Sequence, residues 1–281
     1  MFGETIILDG TAVAASIKEK LAERIRRLSE RGVVPCLATI LVGDDPASAT
    51  YVRMKGNACK RLGMRSLRID LPAETTTEAL IAEIRKLNED PNVHGILLQH
   101  PVPRHIDERA AFEAIRIEKD VDGVTITGFA QNAFGFADFP SCTPAAIIAI
   151  LEHYRIPVEG KHAVVIGRSP ILGKPVSAML LNKNATVTTC HSKTANLAEI
   201  VRLGDIVVAA VGKPRFVQGS WIKPGAVVLD AGYNEGNIGD VDYEACRENA
   251  SAITPVPGGV GPVTIAVLLK HTVDAAEKYA T

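Results

Sequence analysis

Tyr51 and Lys55 are four residues apart in the segment Ser48–Lys55, which follows a helix-start signal, Asp45-Pro46. Residues with this spacing share one face of an α-helix. A lysine shielded on a half-apolar face loses its charge more easily and can act as a general base, and a tyrosine hydroxyl can hydrogen-bond to it. The same spacing is also typical of a surface lysine whose stem covers an aromatic ring. The pattern therefore makes Lys55 a candidate base and leaves the surface alternative open.

Two further polar residues lie where predicted elements finish. Gln99 ends the apolar strand 96–98, and Asp122 lies in the segment 120–123, after an amphipathic stretch over 107–118. Ligands of open parallel sheets bind at the carboxyl ends of strands, so Gln99 and Asp122 are candidate substrate contacts. An aspartate before a glycine is also typical of a simple turn.

The segment 164–175, VVIGRSPILGKP, has the pattern of a strand, a turn and a helix. Gly167 allows a tight turn directly after the strand, and Gly173 lets the start of the helix approach a ligand closely. The free N–H groups of that helix would then face a pyrophosphate. The spacing differs from the common G-x-G-x-x-G motif, and a plain strand-to-helix turn is the alternative. We predict a dinucleotide site here.

The residues after the second strand of this region indicate which dinucleotide binds. NAD sites usually place an acidic residue there to hold the ribose hydroxyls. In this chain the predicted strand 186–190 is followed by HSKT at 191–194, which contains no carboxylate. Arg168 and Ser192 offer a cation and a hydroxyl to a 2′-phosphate, while Lys193 either joins them or is a solvated surface charge. This pattern favours NADP.

The stretch 255–262, PVPGGVGP, is the densest in glycine and proline and precedes the last predicted helix. A loop of this kind exposes backbone amides and lets a flat ligand come close. It is equally consistent with a rigid connector.

The elements that must position these residues alternate between strand and helix. Apolar residues at helical spacing predict a helix over 11–30, and Thr143 is predicted to cap a helix with Pro144 at its first position. The other predicted elements are strands over 34–42, 64–71, 93–99, 162–166, 186–190, 206–211, 227–230 and 252–254, and helices over 47–62, 77–88, 173–181, 196–203 and 263–279. This alternation is typical of parallel sheets and predicts an α/β fold of two lobes, with a boundary near 123–142.

Composition excludes several classes of protein. A chain of 281 residues that is 47% hydrophobic and 22% charged suits one large or two smaller folded domains. A net charge of −1 with no basic stripe argues against a nucleic-acid partner. No apolar run is long enough for a membrane helix, and the first ten residues lack a signal-peptide pattern.

The five cysteines are widely spaced and odd in number, which predicts neither a disulfide framework nor a zinc site, and favours a cytoplasmic protein without a bound metal. Cys190, next to His191, is expected to be a buried strand-end residue rather than a thiol nucleophile.

Together these segments closely resemble the bifunctional methylenetetrahydrofolate dehydrogenase/methenyltetrahydrofolate cyclohydrolase family. The matching stretches run in family order over nearly the whole chain: VGDDPASATYVRMK at 42–55, GILLQHPVP at 95–103, KDVDG at 119–123, CTP at 142–144, GRSPILGKP at 167–175, ATVTTCHSKT at 185–194, DIVVAAVGKP at 205–214 and TPVPGGVGP at 254–262.

The resemblance implies a role for each candidate residue. Lys55 would be the general base and acid of the cyclohydrolase step, Tyr51 would contact the folate and support Lys55, Gln99 would hold Lys55 and the reacting centre, and Asp122 would bind the amino and amide edge of the pterin. The NADP site would comprise Arg168 and Ser192 at the 2′-phosphate, with Gly167, Ser169 and Gly173 shaping the turn. The substrate cleft would be lined by Pro257, Gly258 and Gly259.

The resemblance also implies a fold and a reaction. The family fold has a parallel-sheet N-terminal catalytic domain, here 1–123 with 263–281, and a Rossmann-type NADP-binding domain, here 124–262, with a C-terminal helix that returns to the first lobe. The enzyme would oxidise 5,10-methylenetetrahydrofolate with NADP and hydrolyse the methenyl product to 10-formyltetrahydrofolate in one-carbon metabolism. Family members are usually homodimers built through the cofactor lobe.

Some positions differ from the usual sequence pattern of the family. They are chiefly His100, Asn57 and the run 124–127. His100 is either an extra titrating group or a loop residue without a role. These departures leave open a dehydrogenase with little cyclohydrolase activity, or one acting on a related reduced pterin. A binding protein without catalysis is disfavoured by Lys55, Gln99 and Asp122, and a purely structural scaffold by Arg168 and Ser192.

Overall fold

The computed structural model of the chain describes residues 4–279, with the side chains of Ala47 and Tyr279 left aside. The strands in this range are β1 (Ile6–Ile7), β2 (Cys36–Val42), β3 (Arg65–Leu71), β4 (Gly95–Leu98), β5 (His162–Ile166), β6 (Thr186–Cys190), β7 (Ile206–Ala209), β8 (Val227–Asp230) and β9 (Ala252–Ile253). The helices are α1 (Gly10–Glu30), α2 (Pro46–Arg61), α3 (Thr77–Glu89), α4 (Glu108–Glu113), α5 (Ile126–Phe134), α6 (Cys142–His153), α7 (Gly173–Asn182), α8 (Leu197–Val201), α9 (Tyr243–Arg247) and α10 (Val260–Tyr279).

The chain divides into two compact units. The first unit comprises Ser16–Ala130 and the residues from Ile265 onward, and the second unit comprises the described residues up to Ala15 together with Gln131–Thr264. Each unit contains its own parallel sheet, so the predicted α/β architecture is confirmed.

The sheet of the first unit has three parallel strands in the order β3-β2-β4. Every residue of the central strand β2 is buried, which explains its continuous apolar sequence: a strand covered on both faces does not alternate. The helix α2 follows β2. Its start is fixed by Asp45, whose carboxylate accepts from Ser48 N at 2.7 Å, and by Pro46 in the first turn.

The sheet of the second unit has six parallel strands in the order β1-β9-β8-β7-β5-β6. The chain moves outward from β5 to β6 and then returns to β7 on the other side of β5. This reversal makes the carboxyl ends of β5 and β7 the switch point at which open α/β sheets bind ligands. Apolar side chains of β5, β7 and β8 form the centre of this unit's core, among them Val164, Val207 and Val228, each fully buried.

Several element boundaries differ from the sequence-based prediction. The helix α6 begins at Cys142 with Ser141 as its N-cap, so Thr143 lies inside the helix and is not its cap. The helix α10 begins at Val260 rather than 263, because the end of the glycine- and proline-rich stretch already forms its first turn. The helix α5 occupies part of the region in which no element was predicted.

Among residues 4–279, no helix combines the length and the apolar character that crossing a bilayer requires. All five cysteines are buried and free, including Cys190, for which burial at a strand end was predicted.

Candidate active site

The amine of Lys55 lies against the amide of Gln99. Lys55 projects from α2, and its Nζ is 3.0 Å from Oε1 of Gln99, which directly follows β4. The Gln99 backbone N–H donates to Ile40 O on the neighbouring strand β2, and its Nε2 donates to His100 O at 2.8 Å. Because both ends of this amide are engaged, the oxygen that faces Lys55 is fixed. The structure therefore brings together two residues that are 44 positions apart in the sequence.

Tyr51 lies one turn before Lys55 on α2, and both side chains are half-buried. The helical spacing predicted from the sequence is therefore present, and it places the phenol and the amine on one side of the helix.

Asp122 lies in a loop, Asp120–Gly123, that is fastened by its neighbours in the first unit. The fully buried carboxylate of Asp120 accepts from Val124 N, from Thr125 N and from Thr125 Oγ1, at 3.0, 3.0 and 2.7 Å. Burial raises the pKa of Asp120, while these donors oppose that shift. Asp122 itself is half-buried, so its carboxylate can reach a ligand from a fixed backbone.

A buried histidine holds the same loop from α10. His271 Nδ1 lies 2.9 Å from Val121 O, so Nδ1 carries the proton and donates. Burial lowers the pKa of His271 to about 4. Close packing adds a second restraint, because a Cβ at Gly95 on β4 would meet Val121 Cγ2 at 2.6 Å. No local sequence signal points to His271, since its partner in the loop lies 150 residues earlier in the chain.

In the second unit the turn between β5 and α7 requires both of its glycines. Gly167 has φ +132°, and a Cβ there would meet Ala210 O at 2.1 Å. A Cβ at Gly173 would meet Gly167 O at 2.2 Å. Ser169 lies within this turn, and its backbone O accepts from Lys174 N at 3.1 Å. The turn is therefore compact, and both glycines lie at the close approaches predicted for them; that the start of α7 meets a ligand stays a prediction.

Arg168 and Ser192 lie at the ends of two paired strands. Ile166 and Cys190 are in register on β5 and β6, and Gly167 N donates to Cys190 O at 2.9 Å. Arg168 and Ser192 follow within two residues of these positions, and both are exposed. A cation and a hydroxyl on adjacent strand ends, with no carboxylate in 191–195, fit a phosphate-bearing ribose.

The loop containing Pro257, Gly258 and Gly259 lies in the second unit, apart in sequence from the residues above. Its Val256–Pro257 bond is cis, Gly258 has φ +100°, and a Cβ at Gly259 would meet Pro255 O at 2.4 Å. At His100, one of the departures from the family pattern, the ring packs edge-on against Phe112 with centroids 6.4 Å apart.

Residues 8–122 match the catalytic domain, and residues 141–280 the NAD(P)-binding domain, of the tetrahydrofolate dehydrogenase/cyclohydrolase family. A relative from Shouchella clausii (strain KSM-K16), named bifunctional protein FolD, is 73% identical over 98% of this chain and 99% of its own length.

Solved structures of similar chains include two that cover nearly its whole length. The bifunctional enzyme FolD, methylenetetrahydrofolate dehydrogenase/cyclohydrolase, from Campylobacter jejuni has a TM-score of 0.95 at 45% identity and covers 97% of this chain and 99% of its own. The FolD of Trypanosoma brucei, complexed with NADP cofactor and inhibitor, has a TM-score of 0.94 at 40% identity and covers 98% of each chain. These matches confirm the resemblance inferred from the motifs: this chain belongs to the tetrahydrofolate dehydrogenase/cyclohydrolase family.

Proposed function

We propose that this chain is a bifunctional enzyme that oxidises 5,10-methylenetetrahydrofolate with NADP and hydrolyses the resulting 5,10-methenyltetrahydrofolate to 10-formyltetrahydrofolate. The observation that carries this proposal is the contact between Lys55 Nζ and Gln99 Oε1. A protein that only binds folate has no need of an amine oriented in this way. The 73% identity to a relative named as bifunctional supports both activities.

In the proposed hydrolytic step Lys55 moves the protons. Water adds to the cationic methenyl carbon and loses one proton to the Lys55 amine. The bond from that carbon to one ring nitrogen then breaks: the amine, now an acid, returns its proton to that nitrogen, and the hydroxyl of the adduct releases its own proton as the formyl C=O forms, so one proton is released overall. Gln99 keeps the amine in place, and Tyr51 supports it from the same helix face. Asp122 accepts hydrogen bonds from the amino and amide edge of the pterin.

In the proposed oxidative step the protein acts mainly by positioning. NADP, when bound, accepts the hydride, and the nitrogen lone pair of the substrate stabilises the cation that remains, so no side chain has to transfer a proton. Arg168 and Ser192 hold the 2′-phosphate, and the turn that contains Gly167, Ser169 and Gly173 receives the pyrophosphate. Pro257, Gly258 and Gly259 present backbone to the substrate.

We assign 1–123 with 263–281 to folate binding and catalysis, and 124–262 to NADP binding. The compact units differ from this assignment at three places: β1, at Ile6–Ile7, pairs with β9 in the six-stranded sheet, residues 124–130 belong to the first unit, and residues 263–264 belong to the second unit.

We also assign the enzyme to the cytoplasm, where its product would supply one-carbon metabolism and purine biosynthesis. Five buried free thiols are consistent with a reducing compartment. A homodimer built through the second unit is supported by β6, which lies at the edge of the sheet, and by Phe134 and Phe136, which are 78% and 65% exposed. Light scattering of the purified protein measures its molar mass, which should be twice that of one chain.

The deciding experiment mixes the purified protein with methylenetetrahydrofolate and NADP, then with NAD, and follows NADPH and the methenyl intermediate together. Cofactor reduction without a lasting methenyl signal is the expected result. Accumulation of the methenyl compound would remove the hydrolytic half of the proposal. No reduction with either cofactor would remove the oxidative half.

A further inference from the structure

A buried carboxylate in the second unit binds the loop that follows β7. Asp240 is fully buried, and its side-chain oxygens accept from three successive backbone N–H groups, Val211 at 2.6 Å, Gly212 at 2.8 Å and Lys213 at 2.9 Å. Three consecutive amides that converge on one point form an anion-binding nest. Here the protein's own side chain occupies that nest, and residues 212 to 214 of the loop remain exposed.

A second buried carboxylate holds the backbone of the first. Asp230, at the end of β8, accepts from Asp240 N at 3.0 Å, from Val241 N at 2.9 Å and from Gly232 N at 2.9 Å. Its own N–H donates to Thr254 Oγ1 at 2.7 Å. Burial raises the pKa of Asp230 to about 6, so this group is still mostly ionised at neutral pH.

The packing around the two carboxylates leaves no room for other side chains. A Cβ at Gly232 would meet Asp240 Cγ at 2.2 Å, and a Cβ at Gly239 would meet Asp230 Oδ2 at 1.9 Å. Asn234 completes the set, since its Nδ2 donates to Asp240 Oδ1 at 3.0 Å. Asp230 and Asp240 are therefore a close-packed pair whose hydrogen bonds connect the end of β8 with the loop after β7.

The loop that Asp240 binds lies at the expected ligand-binding edge of the sheet. The carboxyl ends of β5 and β7 form the switch point of the sheet, and the turn after β5 packs directly against Ala210, the first residue after β7. The assigned 2′-phosphate residues, Arg168 and Ser192, lie toward β6 on one side of β5. A dinucleotide laid across the switch point therefore directs its other half toward β7.

We propose that Asp240, itself held by Asp230, is a positioning residue that fixes the loop 211–213 in the conformation that receives the nicotinamide half of NADP. This inference rests on the proposed function, because it takes NADP as the ligand of the second unit. Asp240 acts through the backbone of the loop and does not contact the cofactor. An oriented loop binds without the entropic cost of ordering it, so affinity for the cofactor depends on the carboxylate.

The test compares Asp240→Asn with Asp242→Asn in the full-length enzyme. In Asp240→Asn one carboxylate oxygen becomes an amide NH₂ group, which cannot accept a hydrogen bond from the backbone N–H that it faces. Asp242 is two positions away and makes no side-chain cap bond at the start of α9, so it is a matched control for the loss of charge. Three measurements are made: steady-state kinetics, which give KM and kcat for NADP; NADP affinity by titration; and the rate of methenyltetrahydrofolate hydrolysis without cofactor.

We expect Asp240→Asn to raise the KM and Kd for NADP about tenfold or more, the usual loss for a hydrogen bond to a charged group. The cofactor-free hydrolysis should stay within about twofold of the parent, and Asp242→Asn should match the parent in all three measurements. Unchanged NADP affinity in Asp240→Asn would overturn the inference, and so would an equal loss of both activities, which indicates general destabilisation.

A milder variant keeps the test decisive if Asp240→Asn does not fold. Asn234→Ala removes the bond from Nδ2 to Asp240 Oδ1, together with the bond from Nδ2 to Ile238 O, and we expect it to raise the KM for NADP about threefold. An unchanged KM in that variant would also contradict the inference. Failure of the proposed function is distinguishable, because the parent enzyme itself would then reduce no NADP.

Discussion

Lys55 Nζ lies 3.0 Å from Gln99 Oε1, and the other end of the same amide is bonded to His100 O. The amide cannot turn over without losing both contacts, since its NH₂ group would then face the amine. The arrangement therefore fixes one acceptor beside the lysine amine. This geometry underlies the first two predictions.

Replacing Lys55 by methionine should abolish hydrolysis and spare oxidation. Methionine keeps most of the length and the helix propensity of the side chain but cannot carry a proton. We expect hydrolysis of methenyltetrahydrofolate, corrected for the uncatalysed rate, to fall at least about 100-fold, the usual contribution of a general base. NADPH formation from methylenetetrahydrofolate should remain within about tenfold of the parent, since that step needs positioning rather than proton transfer.

The matched control is Lys60→Met, an exposed lysine on the same helix α2. It should hydrolyse at the parent rate. If Lys55→Met kept the parent's hydrolytic rate, another group would have to be the base.

Replacing Gln99 by glutamate should move hydrolysis to higher pH. A carboxylate beside Lys55 favours the protonated lysine, which cannot accept a proton from water. We expect the rate at neutral pH to fall about tenfold and to recover as the pH rises. A pH-rate profile of cofactor-free hydrolysis measures this shift.

A double variant tests whether this effect acts through the lysine. If it does, adding Gln99→Glu to Lys55→Met should cause no further loss of hydrolysis. An additional tenfold loss in the double variant would show that Gln99 acts independently of Lys55.

The sequence predicted most of the fold because its signals are local. The fully buried strand β2 and the cap at Asp45 both have local patterns that give their type and approximate position. The pair Tyr51 and Lys55 was identified for the same reason. Boundaries that depend on tertiary packing were less accurate: α10 begins three residues earlier than predicted, within a segment whose composition is typical of a loop.

The residues that were missed are linked only through the folded chain. Asp240 binds amides 27 to 29 positions earlier, and His271 binds a carbonyl 150 positions earlier, and no spacing rule connects such pairs. A single sequence shows that an aspartate or histidine is present but not that it is buried. In our proposals these residues position functional loops and do not contact a ligand, so a search for ligand-binding motifs does not identify them.

Replacing Gly167 by alanine should disrupt the dinucleotide turn. The added Cβ would meet the backbone oxygen of Ala210 at 2.1 Å, in a region of φ that alanine rarely adopts. We expect the free energy of unfolding to fall by about 2 kcal/mol or more and NADP affinity to be lost. Denaturant titration and NADP titration measure the two effects.

The variant Gly160→Ala separates the effect of backbone strain at positive φ from the effect of a steric clash of the added Cβ. Gly160 also has a positive φ, +72°, but nothing lies within 4 Å of its added Cβ. It should cost about 1 kcal/mol and leave NADP affinity unchanged. Similar effects of the two substitutions on NADP affinity would show that the collision with Ala210 is not what matters.

The buried His271 should make the enzyme sensitive to mild acid. Burial is the main cause that lowers its pKa from 6.5 to about 4; Lys270 also lowers it, while the hydrogen bond to Val121 and the charges of Asp274 and Asp122 raise it. Between these two pH values the unfolded chain binds a proton that the folded chain does not. The free energy of unfolding therefore falls as the pH drops through this window, by about 2 kcal/mol from this one group at pH 5.

The variant His271→Asn removes the titrating group but keeps a side-chain N–H that can donate to Val121 O. Compared with the parent, it should gain about 2 kcal/mol in relative stability between pH 7 and pH 5, measured by urea unfolding at each pH. His105→Asn, at an exposed histidine, should follow the parent throughout. If the parent and His271→Asn lost stability in parallel between these pH values, His271 would take up its proton over the same pH range in the folded and the unfolded chain, and burial would not lower its pKa. It could then still hold the loop of Asp122, but as a charged donor whose bond to Val121 persists in acid.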